Sequence, residues 1–261
     1  MIRLTSDKIK SSLIEKLKSH NFKNKILLLS QKPSPEVNHY KKVIIKRCEE
    51  FGISYIDKVF VKESQEEILN FINSHDKDDG FIILAPFGDE KDLSLLKEKI
   101  SLKDLDSFTY KSLGRVFDGK KEGLPATARA VVNFMDDLEI DYKGKNIVIA
   151  NNTNVIGRPL ATYLQAKRAS VKILNSLTKN SKDFIKEADI FISAIGKAEF
   201  YDRSYFNDGV FIVDVGTSYK NGKIVGDVDV DSIKDLKLEY LGSSKGIGAI
   251  TTITLLKGLL Y

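Results

Sequence analysis

The amino-acid sequence predicts an α/β fold made of two domains with a cleft between them. The chain has 261 residues, which is enough for two modest domains. Short apolar runs alternate with longer amphipathic segments, a pattern typical of parallel sheets covered by helices. An irregular, glycine-containing stretch at 119–125 separates two such series. We therefore expect Tyr40 and Gly157, one from each series, to lie on opposite walls of the cleft.

The first series begins with a helix whose apolar residues recur at helical spacing, and it continues with buried strands. The run KILLLS is short, apolar and bounded by polar residues, as in a buried strand. Gly52 stands at the C-cap of a long helix, and Ser64 opens the next helix with capping-box character. The expected elements are helix 6–19, strand 25–30, helix 36–51, strand 53–59, helix 64–73, strand 80–86 and helix 92–100.

The second series begins just after Pro125, and no fixed-period repeat relates it to the first. Its run NIVIA is the most strand-like segment of the chain. The expected elements are helix 126–138, strand 146–150, helix 160–168, strands 171–174, 190–194 and 210–215, a short hairpin at 222–226 and helix 249–260.

Composition and charge exclude several classes of protein. Apolar residues make up 42% of the chain and charged residues 30%, which is unlike disordered, collagen-like or coiled-coil sequences. No window approaches about 18 uncharged apolar residues, so we expect no membrane-spanning helix. The net charge is only +5, and lysines are interspersed with glutamates. This pattern predicts solvated helix faces and no nucleic-acid partner.

The cysteine and histidine content argues against disulfides and metal sites. The single cysteine, Cys48, cannot form an internal disulfide, which suits the reducing cytosol, so we expect a cytoplasmic protein. The three histidines, His20, His39 and His75, lie far apart and lack zinc-ligand spacing. We therefore expect no metal site.

The strand, loop and helix around residue 150 form the best candidate for nucleotide binding. In such units a pyrophosphate binds the free N–H groups at the helix N-terminus. The loop NNTNVIGRP contains one glycine, Gly157, where three are usual, although Asn also adopts left-handed conformations. An ordinary strand-to-helix turn explains this spacing equally well. The next strand ends at 175–178 without a ribose-binding carboxylate, and Arg158 and Arg168 leave a 2′-phosphate possible.

Tyr40 and Asp106 are candidate functional residues, but neither is decisive on local sequence alone. Tyr40 lies on the second predicted helix, where a half-buried aromatic packing on the sheet is the simpler interpretation. Asp106 lies in the loop KDLDSF, where a helix-capping or turn carboxylate is common.

Several segments, taken in chain order, resemble one family of enzymes. HYKKVIIKRCEEFGI is similar to a helix in which a Tyr is followed four residues later by a catalytic Lys. KDLDSF resembles Lys-Asp-Val-Asp-Gly-Phe, LPATARAV resembles a Pro-Cys-Thr-Pro segment, and NNTNVIGRP resembles Gly-Arg-Ser-x-x-Val-Gly-x-Pro. GFIILAP, ADIFISAIGKAEF, VFIVDVGTS, KIVGDVDVDSI and SKGIGAITTITLL resemble other family segments. This ordered set resembles the bifunctional methylenetetrahydrofolate dehydrogenase/cyclohydrolase family along nearly the whole chain.

The resemblance implies two α/β domains with a cleft, the second being a Rossmann-type dinucleotide-binding domain. We expect residues 1–124 and 249–261 to form the substrate domain and residues 125–248 the dinucleotide domain. The implied reaction transfers hydride from 5,10-methylenetetrahydrofolate to a nicotinamide, with NADP as the expected cofactor and NAD as the alternative. A second step adds water to the methenyl product. The family also implies a homodimer.

The resemblance further implies which residues bind the reduced folate and the cofactor. Tyr40 matches the family Tyr that stacks on the aminobenzoyl ring, and Asp106 matches the carboxylate that accepts hydrogen bonds from the pterin N–H edge. Tyr40 and Asp106 are the expected catalytic residues, and together with Pro86 they are the expected substrate-binding residues. The expected cofactor-binding residues are Asn151, Asn152, Thr153, Gly157, Arg158, Ser176, Thr178, Ala194, Gly196 and Thr251.

Departures from the family pattern bear on the second step. Ile44 stands where the catalytic Lys belongs, and Leu84 replaces the Gln that normally hydrogen-bonds to that Lys. An apolar pair leaves no buried polar group unpaired, so the change is coherent. Lys42 and Lys46 lie about 200° away from Ile44 around the helix. We expect no other group near Tyr40 to manage a proton, and we therefore predict that cyclohydrolase activity is weak or absent.

In the cofactor half, Asn152 replaces the Arg that would pair with a 2′-phosphate, which predicts weak discrimination between NADP and NAD.

Two alternatives to a methylenetetrahydrofolate dehydrogenase stay open. One is a catalytically inactive paralog that acts as a pterin, nucleotide or protein binding module, which the changes at Ile44 and Leu84 favour. The other uses a different carrier, such as a modified folate or a methanopterin-like cofactor. Retention of Tyr40 and Asp106 argues against complete loss of substrate binding.

Overall fold

The computed structural model describes residues 1–88 and 92–261, and it contains two separate parallel sheets. In chain order the first elements are β1 (Ile2–Leu4), α1 (Asp7–Lys18), β2 (Ile26–Gln31), α2 (Pro35–Phe51), β3 (Tyr55–Phe60), α3 (Gln65–Asn73), β4 (Gly80–Ile83), α4 (Ser94–Lys99), β5 (Lys103–Asp104) and α5 (Tyr110–Phe117). Strands β2 to β5 form the first sheet, in the order β3-β2-β4-β5.

The long helix α2 is defined by clear signals at both ends. Ser34 caps its N-terminus by accepting a hydrogen bond from the Val37 N–H at 3.4 Å, and proline occupies its first turn. At the other end Gly52 adopts a left-handed conformation with φ of 66°, which is favourable only for a residue without a side chain. Ile44 and Cys48 lie one turn apart on its buried face, and this register also sets the direction of Tyr40.

The second part of the chain forms a larger sheet. Its elements are α6 (Ala126–Asp137), β6 (Asn146–Ala150), α7 (Gly157–Ala166), β7 (Ser170–Leu174), α8 (Ser181–Lys186), β8 (Ile190–Ser193), β9 (Phe211–Asp214), β10 (Ser218–Lys220), β11 (Lys223–Val225), α9 (Val230–Ile233), β12 (Glu239–Leu241) and α10 (Gly248–Lys257). The strand order of this sheet is β1-β12-β9-β8-β6-β7, and β10 and β11 form a separate antiparallel hairpin. None of the described helices is both long and apolar enough to cross a lipid bilayer.

The predicted α/β class is confirmed, because helices alternate with parallel strands around two distinct sheets. Sequence patterns missed α5, α8 and β12. Helix α5 has eight residues and a glycine at position 114, so its apolar periodicity is short, although Thr109 caps it by accepting a hydrogen bond from the Ser112 N–H at 3.2 Å. The predicted strand 80–86 ends at Ile83, and the residues that follow leave the sheet.

Each end of the chain contacts the part of the fold that is distant from it in sequence. Helix α10 packs against α1, α2 and α6, as expected for a last helix that returns to the first series. Strand β1, by contrast, pairs in parallel with β12, so the first residues belong to the second sheet. The range 1–124 expected for the first domain did not anticipate this pairing. A three-residue strand gives no periodic signal, and its partner lies more than 230 positions away.

Two buried aspartates, Asp214 and Asp227, connect loops at the carboxyl ends of the strands in the second sheet. Asp214 ends β9, and its carboxylate accepts hydrogen bonds from the N–H groups of Asp227 and Val228, both at 3.0 Å. The Tyr240 hydroxyl of β12 donates to the same carboxylate at 3.2 Å. Burial raises the pKa of Asp214 to about 6, so these donors are needed to stabilise its charge. Gly226 packs directly against it, and a Cβ there would lie 2.0 Å from Asp214 Oδ2.

We expect Gly226→Ala to lower the free energy of unfolding by about 3 kcal/mol, because the added methyl group displaces a carboxylate whose donors are backbone groups. Urea denaturation measures this loss. The matched control is Gly248→Ala at the start of α10, where a Cβ would meet nothing within 4 Å. The control should change stability by less than about 1 kcal/mol, and an equal loss in both variants would contradict the packing argument.

Candidate functional site

A cavity of about 680 Å³ lies in the cleft between the two parts of the fold. Tyr40 of α2, residues 84–87 after β4 and Asp106 after β5 form its first wall. Asn154 and Val155, in the turn between β6 and α7, form the opposite wall. The predicted cleft is therefore present, although its second wall carries Asn154 and Val155 and not the buried Gly157. It opens at the carboxyl ends of parallel strands, where ligands of α/β proteins usually bind.

Tyr40 is half-buried and lines this cavity. Burial raises the pKa of its phenol well above the usual value, and the negative charge of Asp106 raises it further. Tyr40 is therefore neutral at physiological pH. It offers an aromatic ring for stacking and no readily transferred proton.

Asp106 lies two residues beyond β5, in the same cavity. Its Oδ1 accepts a hydrogen bond from the backbone N–H of Ala126, at the start of α6, at 2.6 Å. Burial raises the pKa of Asp106 to about 6, although the Ala126 N–H and the positive charge of Arg129 both act to lower it. The carboxylate is thus mostly ionised at neutral pH and can accept hydrogen bonds from a ligand.

Pro86 is exposed, follows a cis peptide bond from Ala85, and lines the cavity with Tyr40 and Asp106. The structure thus brings together the three residues predicted to bind substrate, although they come from separate loops and a helix. Their roles remain predictions.

Ile44 and Leu84 belong to one apolar core cluster, against which Tyr40 also packs. Ile44 is 0% exposed, and its hydrocarbon side chain cannot transfer a proton. Lys42 and Lys46 are exposed, as predicted from the helical register.

The expectation that no other group near Tyr40 manages a proton stays a prediction, although two ionisable side chains line the same cavity. Asp106 lies close enough to raise the pKa of Tyr40 and itself titrates near neutrality. Lys97 of α4 also lines the cavity, with its Nζ 5.7 Å from the centre of the Phe108 ring. Sequence reasoning missed Lys97 because it lies among other lysines on a short, partly exposed helix.

The turn before α7 is organised by the side chain of Asn151. Its Oδ1 accepts hydrogen bonds from the N–H groups of Thr153 and Gly157, both at 2.9 Å, and from the Thr153 hydroxyl at 2.7 Å. Its Nδ2 donates to the Ala194 carbonyl at 2.7 Å. Gly157 is required here, because a Cβ would lie 1.8 Å from the Asn151 carbonyl oxygen. Hydrogen bonds from an Asn side chain thus hold a turn that glycines usually form in such loops.

Arg158 lies on the exposed side of this turn. Its Nε donates to the Asn152 side-chain oxygen at 2.9 Å, and its Nη1 donates to the Asn154 side-chain oxygen at 3.0 Å. Both partners are uncharged, so these bonds hold the guanidinium beside Asn152 without neutralising it. An anionic ligand group could therefore pair with Arg158.

The predicted cofactor residues that follow β7 and β8 lie at the same edge of the sheet. Ser176 is exposed in the loop after β7, and the Thr178 hydroxyl accepts a hydrogen bond from the Asn175 N–H at 2.9 Å. Gly196, after β8, has a φ of 66°. Thr251 lies further away in sequence on α10, where its hydroxyl donates to the Ile247 carbonyl at 3.0 Å.

Sequence reasoning missed Asp227, which organises the loop after β8. Its carboxylate accepts hydrogen bonds from the Ser193 hydroxyl at 2.6 Å and from the N–H groups of Ile195 and Lys197 at 2.7 and 2.8 Å. These donors flank Gly196. The available signal was the Gly-Asp pair in KIVGDVDVDSI, which by itself indicates only a turn.

The described residues contain no group of three or more His, Cys, Asp or Glu side chains arranged to hold a metal ion.

Comparison with known proteins identifies related sequences. Residues 125–261 match the family described as tetrahydrofolate dehydrogenase/cyclohydrolase, NAD(P)-binding domain. A protein named bifunctional protein FolD from Clostridium botulinum is 33% identical over 260 residues, which covers 96% of this chain and 92% of the relative. The protein of the same name from Clostridium novyi is 36% identical over 220 residues, covering 82% and 79%.

Solved structures agree with these sequence relationships. The bifunctional methylenetetrahydrofolate dehydrogenase/cyclohydrolase from Campylobacter jejuni superimposes with a TM-score of 0.90 at 30% identity, covering 100% of this chain and 97% of its own. The corresponding enzyme from Thermoplasma acidophilum has a TM-score of 0.86 at 24% identity, covering 99% and 96%. The second match shows similarity of fold alone.

We expect Asp227→Asn to lower the free energy of unfolding by about 2 kcal/mol. The amide NH2 group would replace an oxygen that now accepts a hydrogen bond, so two donors would face each other. We also expect NADP affinity to fall more than affinity for a folate analogue, since the loop around Gly196 loses its anchor. Urea denaturation and titration calorimetry measure the two effects. Asp231→Asn, at an exposed position on α9, is the control and should leave both unchanged.

Proposed function

The chain belongs to the tetrahydrofolate dehydrogenase/cyclohydrolase family, and from that premise we propose that it oxidises 5,10-methylenetetrahydrofolate, or a closely related reduced pterin. NADP is the proposed hydride acceptor, with NAD as the alternative. The observation that carries this proposal is a single cavity in which Tyr40 and Asp106 face Asn154 and Val155 of the turn before α7. Hydride transfer needs two flat rings held at reacting distance, and a cleft of this kind supplies that positioning.

The residues at the edge of the second sheet fit a dinucleotide. Gly157 lets the Asn151 carbonyl approach the start of α7, since a Cβ would lie 1.8 Å from that oxygen, and the positive end of the helix dipole there favours phosphate. We propose that the cofactor is held by Asn151, Asn152, Thr153, Gly157, Arg158, Ser176, Thr178, Ala194, Gly196 and Thr251. When bound, the nicotinamide supplies the hydride-accepting carbon.

The residues of the first wall would bind and orient the pterin. Tyr40 remains neutral and offers a flat ring, while Asp106 is a charged acceptor for pterin N–H groups. Leu84 and the neighbouring Ile82 and Ile83 give the cavity an apolar side that excludes water. Hydride passes directly between carbon atoms, so the missing Lys does not prevent this step.

We propose that cyclohydrolase activity is weak or absent. Adding water to the methenyl group requires proton management at the bridge carbon. Buried Ile44 cannot provide it, and Leu84 cannot orient a lysine. Asp106 is near, but we assign its carboxylate to the pterin N–H edge, which leaves Lys97 as the remaining cationic group among the described cavity-lining residues.

The domain ranges, the oligomeric state and the location belong to the same proposal. We propose that residues 1–124 and 249–261 form the substrate domain, apart from β1, and that residues 125–248 form the dinucleotide domain. A cytoplasmic homodimer is supported by the family resemblance, by the free buried Cys48 and by exposed apolar residues on edge strand β3, Tyr55 and Val59.

We expect NADP and NAD to bind with dissociation constants within about a hundredfold of each other. Loss of one charge-assisted contact at Asn152 costs about 1.5–3 kcal/mol, which is roughly tenfold to a hundredfold. Titration calorimetry with NADP, NAD and a folate analogue measures this directly. A preference for NADP above about a thousandfold would mean that Arg158 pairs with the 2′-phosphate, which Arg158→Gln would abolish. Binding of neither dinucleotide nor the analogue would overturn the proposed enzyme.

We expect the protein to hydrolyse methenyltetrahydrofolate no faster than buffer, because general acid–base assistance worth about 10²–10⁴-fold is missing. Loss of the methenyl chromophore measures the rate. Ile44→Lys combined with Leu84→Gln should introduce activity, while either change alone should do less, because a lysine without its glutamine is a poorly oriented buried cation.

Lys97→Gln is the control for this experiment. Clear hydrolysis by the unmodified chain would contradict the assignment of Ile44, and its loss in Lys97→Gln would identify Lys97 as the group that replaced the family Lys.

A further inference from the structure

Arg129 of α6 is a buried cation that the reaction described above does not use. It is 5% exposed, and its Nη2 donates to the Leu105 carbonyl at 2.8 Å. Its Nη1 makes a longer bond of 3.4 Å to the Glu122 carbonyl, and its Nε has no partner. Among the described residues, this guanidinium forms no ion pair with a carboxylate. A charge buried with such incomplete pairing is costly, so its presence requires a compensating interaction.

The largest compensating charge is that of Asp106 in the substrate-binding loop. The ionised guanidinium is also favoured by the charges of Tyr261, Asp104 and Glu122. Leu105, whose carbonyl accepts from Arg129, directly precedes Asp106. The same helix turn also provides the Ala126 N–H that donates to Asp106 Oδ1 at 2.6 Å. Helix α6 therefore acts on Asp106 in two ways. Ala126 donates a direct hydrogen bond, and Arg129, three residues later, provides a positive charge. The two groups stabilise each other electrostatically, because the Asp106 charge also favours the ionised form of Arg129.

Burial and a neighbouring carboxylate oppose the ionisation of Asp106. Burial is the largest effect, and the negative charge of Asp104 adds to it. The Asp104 carboxylate accepts hydrogen bonds from the N–H groups of Phe108 and Thr109 at 3.0 and 2.7 Å, which fix it beside Asp106. Tyr40 on α2 is neutral, and Glu36 and Lys97 line the same cavity. Arg129 is thus the cation whose charge offsets burial at Asp106.

We propose that Arg129 is a positioning residue that fixes the Asp106 loop and keeps the carboxylate charged, so that it can accept the N–H groups of the pterin at neutral pH. This inference rests on the proposed function, since it assumes a pterin ligand at Asp106. Arg129 itself need not touch the ligand, because it acts through the Leu105 carbonyl and through its charge.

The pH dependence of ligand binding tests this role. A carboxylate acceptor binds its ligand above its own pKa, and affinity is lost as the pH falls through that value. For the unmodified chain we expect the affinity for a folate analogue to fall with a midpoint near pH 6, the pKa of Asp106. In Arg129→Gln and Arg129→Met, which remove the charge, the midpoint should rise by about one pH unit. Near pH 6 this shift corresponds to roughly a fivefold loss of affinity, with full recovery near pH 8.5.

Two further variants are the controls. Arg129→Lys retains the charge and should restore the original midpoint, while Asp106→Asn removes the titrating group and shows the contribution of the ligand's own ionisation. Affinity is measured by titration calorimetry from about pH 5 to 8.5, and circular dichroism verifies folding of each variant.

Distinct results would overturn the separate proposals. An unchanged midpoint in both uncharged variants, or an equal loss of affinity at every pH, would limit Arg129 to a structural role. Failure of the unmodified chain to bind the folate analogue at any pH would instead overturn the proposed function. If neither uncharged variant folds, carbon-13 NMR of the Asp106 carboxyl group in the unmodified chain decides the question. Titration at or above pH 7 would contradict the inference, and titration near pH 6 would support it.

Discussion

The hydrogen bond from the Ala126 N–H to the Asp106 carboxylate, at 2.6 Å, is the interaction on which the substrate side of the cleft depends. It joins the last loop of the first sheet to the first turn of the helix that begins the second part of the chain. A buried carboxylate is stable as an anion only when donors and positive charge surround it. The start of α6 provides the donor and Arg129 provides the charge, so the same contact that connects the two parts of the fold also prepares Asp106 to bind a ligand.

A related arrangement organises the cofactor side. Asp227 receives three hydrogen bonds from the loop after β8, and its own N–H donates to Asp214 in the core of the second sheet. Both carboxylates are fully buried, and Gly226 leaves the room that they need. In each half of the molecule, a carboxylate that accepts hydrogen bonds from backbone N–H groups therefore fixes a loop at the carboxyl ends of parallel strands. Rigid support of this kind is what positioning two flat rings requires.

Under the proposed function, the apolar pair Ile44 and Leu84 removes one step of a two-step reaction while the fold is kept. Replacement of only one member of a Lys–Gln pair would leave a buried polar group without its partner, at a cost of about 1–3 kcal/mol. Both positions are instead apolar and packed in one core cluster with 0% and 3% exposure. Tyr40 and Asp106, to which we assign ligand binding without proton transfer, still line the cavity. Structural integrity and loss of proton transfer are therefore compatible.

The sequence by itself determined the α/β class, most helices and strands, the register of α2 and the family resemblance, because these depend on local periodicity, capping residues and ordered motifs. Only the tertiary structure decided that β1 joins the second sheet, that Lys97 lines the cavity, and that Arg129 and Asp227 support the two binding loops. Asp106 and Ala126 are 20 positions apart, and Asp227 and Ser193 are 34 apart. Hydrophobic patterns report which face of an element is buried, but they carry no information about which distant polar groups meet there. The protonation of Asp106 likewise depends on burial and on charges that are adjacent only in the folded chain.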